Sequence, residues 1–119
     1  MTEQPLVSVI IPTYNRAERV GDAVRSALNQ SHDKIEVLVI DDCSDDHTET
    51  VVNAIDDSRV SYYCNDTNRG APYSRNRGVD LSRGAYVQFL DDDDVLYEQK
   101  IERQITCFNA SDVSDLGVV

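Results

Sequence analysis

The chain has 119 residues, 40% of them hydrophobic, enough for one compact core and too few for two ordinary domains, so residues 1–119 read as a single domain. Its formal charge of -11, from sixteen Asp and six Glu against nine Arg and two Lys, excludes general electrostatic binding of nucleic acid. No apolar stretch approaches a membrane span and the start lacks a basic-then-apolar leader, so this chain is expected to contain no membrane span and to be cytoplasmic.

In chain order, Val7-Ser8-Val9-Ile10-Ile11 is a β-branched run that reads as a buried strand ended by Pro12, where an amide donor is lost. After Thr13-Tyr14-Asn15, the apolar residues Val20, Ala23, Val24, Ala27 and Leu28 recur at helical spacing, with Asn15 and Glu18 placed as a capping box. Ile35 to Ile40 is a second strand, nearly continuous in apolar residues as a strand covered on both faces should be. Asp41 and Asp42 stand at its end. Asp46 and Glu49 form a second candidate capping box ahead of a helix carrying Val51, Val52 and Ile55.

Val60 to Cys64 is a short third strand, followed by a helix from about Ala71 to Ser82. Ala85 to Leu90 is the fourth strand, and four acids follow it at once. Ile101, Ile105 and Phe108 mark a last helix, and Leu116 to Val119 could open a fifth strand. Strands alternating with helices over short connections predict an α/β fold: a Rossmann-like, mostly parallel sheet with flanking helices. In such sheets ligands bind beyond the carboxyl ends of the strands.

Three polar clusters fall at those ends: Thr13-Tyr14-Asn15, Asp41-Asp42, and Asp91 to Asp94. Four adjacent carboxylates repel one another, and a bound cation relieves that repulsion. Hard oxygen donors favour magnesium, manganese or calcium over zinc. A calcium helix-loop-helix site is excluded, because Val95 and Leu96 stand where an alternating acid and a glycine are required. A metal held by one or two carboxylates, its other positions open to phosphate oxygens, fits better.

Asp41 and Asp42 are acceptors suited to a base imide or a ribose hydroxyl. Tyr14 offers an aromatic face for a base, while Thr13 and Asn15 offer hydrogen bonds. Neither a G-x-G-x-x-G loop nor a glycine-rich loop ending in Lys and Ser or Thr follows the first strand, which excludes dinucleotide-binding and P-loop readings. Arg69, Arg75 and Arg77 surround the start of the third helix, and Arg75 is the choice among them for contact with phosphate. His32 and His47 have no nucleophile near them in sequence and receive no catalytic role. A signalling receiver domain would need an acid pair after the first strand, where Pro12-Thr13 stands instead. The three cysteines, Cys43, Cys64 and Cys107, form neither a disulfide framework nor a zinc pattern and read as buried or incidental thiols. Abundant acid with almost no lysine suits a protein that folds in concentrated salt.

With these residues assembled, the sequence resembles the inverting family-2 glycosyltransferases of the GT-A fold. The segments that carry the likeness are Val7 to Asn15, Val39 to Asp46, Arg75-Asn76-Arg77-Gly78 and Phe89 to Asp94, in the family's order and over nearly the whole chain. The resemblance implies transfer of a sugar from a nucleotide-diphosphate sugar, UDP-sugar first, to an acceptor hydroxyl with inversion. It implies donor contacts from Pro12, Thr13, Tyr14, Asn15, Asp41, Asp42, Arg75, Asp91 and Asp92. It also implies a divalent metal, Mn2+ or Mg2+, on Asp93 with Asp91, and a sugar, lipid-linked or protein acceptor. Cys43 departs from the glycine or asparagine usual at its position. The acceptor half and its general base are expected beyond Val119, so no catalytic residue is assigned and this chain alone is expected to bind donor and transfer little. The alternative is a non-catalytic nucleotide- or metal-binding module derived from the same fold.

Overall fold

The structure is a computed structural model that describes residues 4–111, with side chains described through Cys107. Phe108 and the expected strand at Leu116 to Val119 lie outside the described side chains and residues respectively. The elements are β1 (Val7–Thr13), α1 (Ala17–Leu28), β2 (Ile35–Asp41), α2 (Thr48–Asn53), β3 (Val60–Cys64), α3 (Ala71–Leu81), β4 (Tyr86–Phe89) and α4 (Lys100–Ser111). The four strands form one parallel sheet in the order β3-β2-β1-β4.

Strand alternation sorts the side chains to two faces. Val7, Val9, Ile11, Val37 and Val39 pack with Val20, Ala23, Val24 and Ala27 of α1, Val52 of α2, and Ile101 and Ile105 of α4. Ile10, Leu38, Ile40 and Val87 form the opposite layer, where Leu81 of α3 meets them. Gly78 is what lets α3 approach, since a Cβ there would lie 2.4 Å from Ile10 Cγ2.

β1 runs two residues further than expected, through Pro12 to Thr13. The reason is the alternating direction of parallel pairing. The Thr13 carbonyl accepts the Asp42 amide on the β2 side, and the Ile10 carbonyl accepts the Leu90 amide on the β4 side. Pro12 therefore faces β4's side, past the last paired couple Ile10 and Phe89, where its missing donor breaks no ladder bond.

Neither expected capping box forms. Asn15 adopts φ 52° and caps nothing; its amide oxygen accepts the Asp45 N–H at 2.9 Å, and its own N–H reaches Ser44 Oγ at 2.8 Å. Asp46 serves two helices instead, accepting the Ala17 amide at the start of α1 (3.2 Å) and the Thr48 amide at the start of α2 (3.0 Å). Burial is the largest influence on the Asp46 carboxyl and raises its pKa, but the Thr48 hydroxyl and the two amides outweigh it and hold the pKa below the usual range. The three cysteines are exposed, not buried. Cys43 sits at φ 65°, a left-handed conformation costing about 1 to 2 kcal/mol with a side chain, which accounts for glycine or asparagine being usual there.

Candidate functional site

The chain steps from β1 to β2 to β3 in one direction and then returns past β1 to β4, so the order reverses at the β1–β4 boundary. A crevice is expected at that reversal, beyond the carboxyl ends. A cleft of about 260 Å³ opens there. Pro12, Thr13, Tyr14 and Arg16 line it from the end of β1, Asp42 from the end of β2, Ala71, Ser74 and Arg75 from α3, and Asp91 and Asp92 from the loop after β4.

Of the two acids at the end of β2, Asp42 lines this cleft and Asp41 does not. Asp42 is 5% exposed, and its Oδ1 accepts the Asn65 side-chain amide (2.9 Å) and the Arg69 N–H (2.7 Å), while Oδ2 accepts the Gly70 N–H (2.8 Å). Burial, the largest single influence, pushes its pKa up, but those three donors together hold it below the usual carboxylate range. Gly70 supplies its amide from φ 93°, a backbone position that only glycine adopts without strain.

Asp41 is placed differently from Asp42. It is 1% exposed and already engaged, accepting the Tyr62 hydroxyl on Oδ2 and both the N–H (3.0 Å) and hydroxyl of Ser44 on Oδ1. It braces the loop after β2 and does not line the cleft. Burial first, and the Asp41 carboxylate second, push the Tyr62 phenol far above its ordinary pKa, so it remains a donor. Asn15 is likewise absent from the cleft lining. It ties the loop after β1 to the one after β2.

On the other wall, the Thr13 hydroxyl donates to Asp92 at 2.8 Å, joining the ends of β1 and β4. An Asp94 amide to Asp91 carbonyl bond of 3.0 Å closes a turn through the acidic run. The turn brings carboxylate oxygens of Asp91, Asp93 and Asp94 within 4.8 Å of one another, all three residues exposed. Three oxygen donors on one exposed loop suit a hard divalent ion with further positions open to ligand. The sequence places Asp94 in the acidic run without naming it as a ligand beside Asp93 and Asp91; the turn shows that it reaches Asp91. Arg16 lies 3.5 Å from Asp93, both about half exposed, a pair that contributes little to stability.

The three arginines around α3 separate by partner. Arg69 pairs with Asp66 at 3.5 Å and lies over Tyr73, and Arg77 bonds Asn65 at 2.8 Å. Arg75 lines the cleft, half-buried, and has no hydrogen-bond or ion-pair partner among the described residues. Sequence reasoning missed Arg16 and Ser74, each one residue outside a segment that carries the likeness, and Asn65, whose neighbours in the chain carry no pattern that would single it out.

A parallel sheet with helices on both faces, and acids from β2 and the β4 loop meeting across the switch point, defines the GT-A, Rossmann-like class. The chain belongs to glycosyl transferase family 2, whose model matches residues 8–118. It is 40% identical over 100 residues to Escherichia coli UDP-Glc:alpha-D-GlcNAc-diphosphoundecaprenol beta-1,3-glucosyltransferase WfaP, covering 84% of this chain and 40% of that protein. Among solved structures it resembles Staphylococcus aureus TarS 1-349 in complex with UDP, with TM-score 0.81 and 28% identity over 88% of this chain and 32% of that one. The Pyrobaculum calidifontis mannosyltransferase PcManGT, in complex with GDP-Man and Mn2+, matches with TM-score 0.71 and 29% identity over 79% of this chain and 29% of that one. The chain spans about two fifths of the length of curated relatives that it matches, such as those from Bacillus subtilis and Haemophilus influenzae. No helix among the described residues is long and apolar enough to cross a membrane.

Proposed function

We propose that this chain is the donor-binding half of a glycosyltransferase that moves a sugar from a nucleotide-diphosphate sugar, UDP-sugar first, to an acceptor hydroxyl with inversion at the anomeric carbon. The observation that carries this is the cleft. One wall holds a buried, ionised acceptor, Asp42, beside the 46% exposed ring of Tyr14, a pairing suited to a base with an N–H edge. The other holds Asp91 and Asp92, and Arg75 enters from α3 as a cation without a carboxylate partner among the described residues, in a chain of charge -11. An unpaired arginine between two acidic walls suits a bound diphosphate.

Asp93 and Asp91, with Asp94, are the residues that would hold a divalent metal, Mn2+ or Mg2+. When bound, that ion supplies positive charge beside the departing diphosphate, an electrostatic contribution of several kcal/mol in such sites. Within the protein's own chemistry, Arg75 is placed to stabilise the same developing charge. The acceptor oxygen bonds to the anomeric carbon as the bond to the diphosphate oxygen breaks, and the acceptor proton passes to a general base. None of the described carboxylates is assigned that base, and the acceptor is a sugar, lipid-linked or protein hydroxyl. The expected setting is the cytoplasm, at the inner membrane face where the acceptor is lipid-linked, and in a salt-rich cell.

Calorimetric titration of UDP, GDP and their sugars, with and without Mn2+, comparing the wild type with Asp93→Ala, tests the reading. The expected result is metal-dependent binding that Asp93→Ala weakens about tenfold or more, the scale of losing one ligand of a divalent ion. Binding that is indifferent to metal, or unchanged in the variant, refutes the role given to the acidic run.

A further inference from the structure

Beside Asp42, and outside the cleft, Asn65 and Arg77 line a separate depression with Cys64, Asp66, Arg69 and Tyr73. Asn65 is 3% exposed and uses every group of its side chain. Its Nδ2 donates to Asp42 Oδ1 and to Ser74 Oγ, each at 2.9 Å, and its Oδ1 accepts from Arg77 Nη1 at 2.8 Å. Turned the other way, a carboxamide would present oxygen to the Asp42 carboxylate, two acceptors facing each other. A serine hydroxyl tolerates either orientation, so Ser74 does not decide between them. A guanidinium has donors only, so Arg77 sets the orientation together with Asp42, from the opposite end: the atom facing it must be oxygen, and the NH2 group then faces Asp42. Arg77 is itself held over the Tyr63 ring, 5.8 Å from its centroid.

The consequence reaches the cleft. Asp42 Oδ1 takes two donors and Oδ2 takes one, so the acceptor position left on this carboxylate belongs to Oδ2. We propose that Arg77 and Asn65 are positioning residues that fix the Asp42 carboxylate with one acceptor turned to the nucleobase, and thereby select bases whose facing ring nitrogen carries a hydrogen. Uracil and guanine present such an N–H. Cytosine presents a bare ring nitrogen at the same edge, a lone pair against a carboxylate, and is rejected. This rests on the reading of the cleft as a nucleotide site, and it adds two residues that never touch the nucleotide.

The test titrates UDP and CDP into the wild type, Arg77→Met and Arg77→Lys, with the Asn65 side-chain NH2 signal followed by NMR without nucleotide. In Arg77→Met, UDP affinity is expected to fall about tenfold, the scale of one misplaced hydrogen bond to charge, and the UDP-to-CDP preference to narrow by a similar factor. The Asn65 amide protons, slow to exchange in the wild type, become fast. Arg77→Lys restores most of both effects, because an ammonium is also a pure donor. Mn2+ affinity stays unchanged. A folded Arg77→Met with an unchanged UDP-to-CDP ratio, or with unaltered Asn65 amide protons, overturns the proposal. Should Arg77→Met fail to fold, Arg77→Gln carries the same two readouts at intermediate size, since its amide can present either atom. A wild type that binds neither nucleotide sinks the reading of the cleft instead, and the Asn65 signal still decides whether Arg77 orients it.

Discussion

Replacing Asp42 by asparagine keeps the side chain's shape and removes its charge and one of its two acceptor atoms. Three donors converge on this carboxylate: the Asn65 amide, the Arg69 N–H and the Gly70 N–H. If the new amide keeps its oxygen at the Oδ1 position, the first two bonds survive without charge assistance and Gly70 faces an NH2 group. If it turns over, only the Gly70 bond survives. Hydrogen bonds to a charged group contribute about 1.5 to 3 kcal/mol and neutral ones about 1. At the low end of the charged range, losing one bond and weakening two sums to about 2.5 kcal/mol, and water entering from the adjoining cleft to solvate the stranded amide reduces this to about 2 kcal/mol. Urea denaturation of the two proteins measures the gap.

The pH dependence carries the sign. The Asp42 pKa is depressed below its ordinary value of 3.8 in the folded state, so its contribution is fully present above that value and is lost as pH falls through the folded pKa. The gap between wild type and Asp42→Asn should therefore be constant near neutrality, narrow below about pH 4 and close in stronger acid. A gap under about 0.5 kcal/mol at neutral pH, or one unchanged by acid, would refute the account of three donors on an ionised carboxylate.

Gly78→Ala pits two effects against each other: helix propensity gains about 1 kcal/mol, while a Cβ placed 2.4 Å from Ile10 Cγ2 costs about 1 to 3 kcal/mol in overpacking. A net loss is expected, and it should reverse in an Ile10→Ala background, where the new methyl fills the space. A double-mutant cycle by urea denaturation showing no coupling would contradict the close approach of α3 to β1. The charge of -11 predicts a melting temperature that climbs as KCl rises from low to molar concentration; calorimetry showing indifference to salt would remove the case for salt adaptation.

How much of the site was legible follows from what kind of information each part needs. The convergence of Thr13, Tyr14, Asp42 and Asp91 on one edge was readable because alternating strands and helices force a parallel sheet, and a parallel sheet puts all strand ends on one side. The capping boxes were misread because residue spacing cannot register a competing loop. Asn15 reaches across the gap between the β1 and β2 ends to Ser44 and Asp45, and Asp46 crosses the same gap to Ala17 while also holding Thr48.

The sequence by itself determined the fold class, the family and the edge on which the polar clusters meet, since these depend on periodicity and on motifs contiguous in the chain. The tertiary structure decided which of two adjacent acids serves the cleft. Successive residues of a strand point to opposite faces, so Asp41 falls to the side of Tyr62 and Ser44 while Asp42, one step on, meets Asn65, Arg69 and Gly70. It also decided that Asp94 joins Asp91 and Asp93, through a turn, and that Arg77 orients Asn65. Such pairings depend on distances across the fold, which no local pattern of residues encodes.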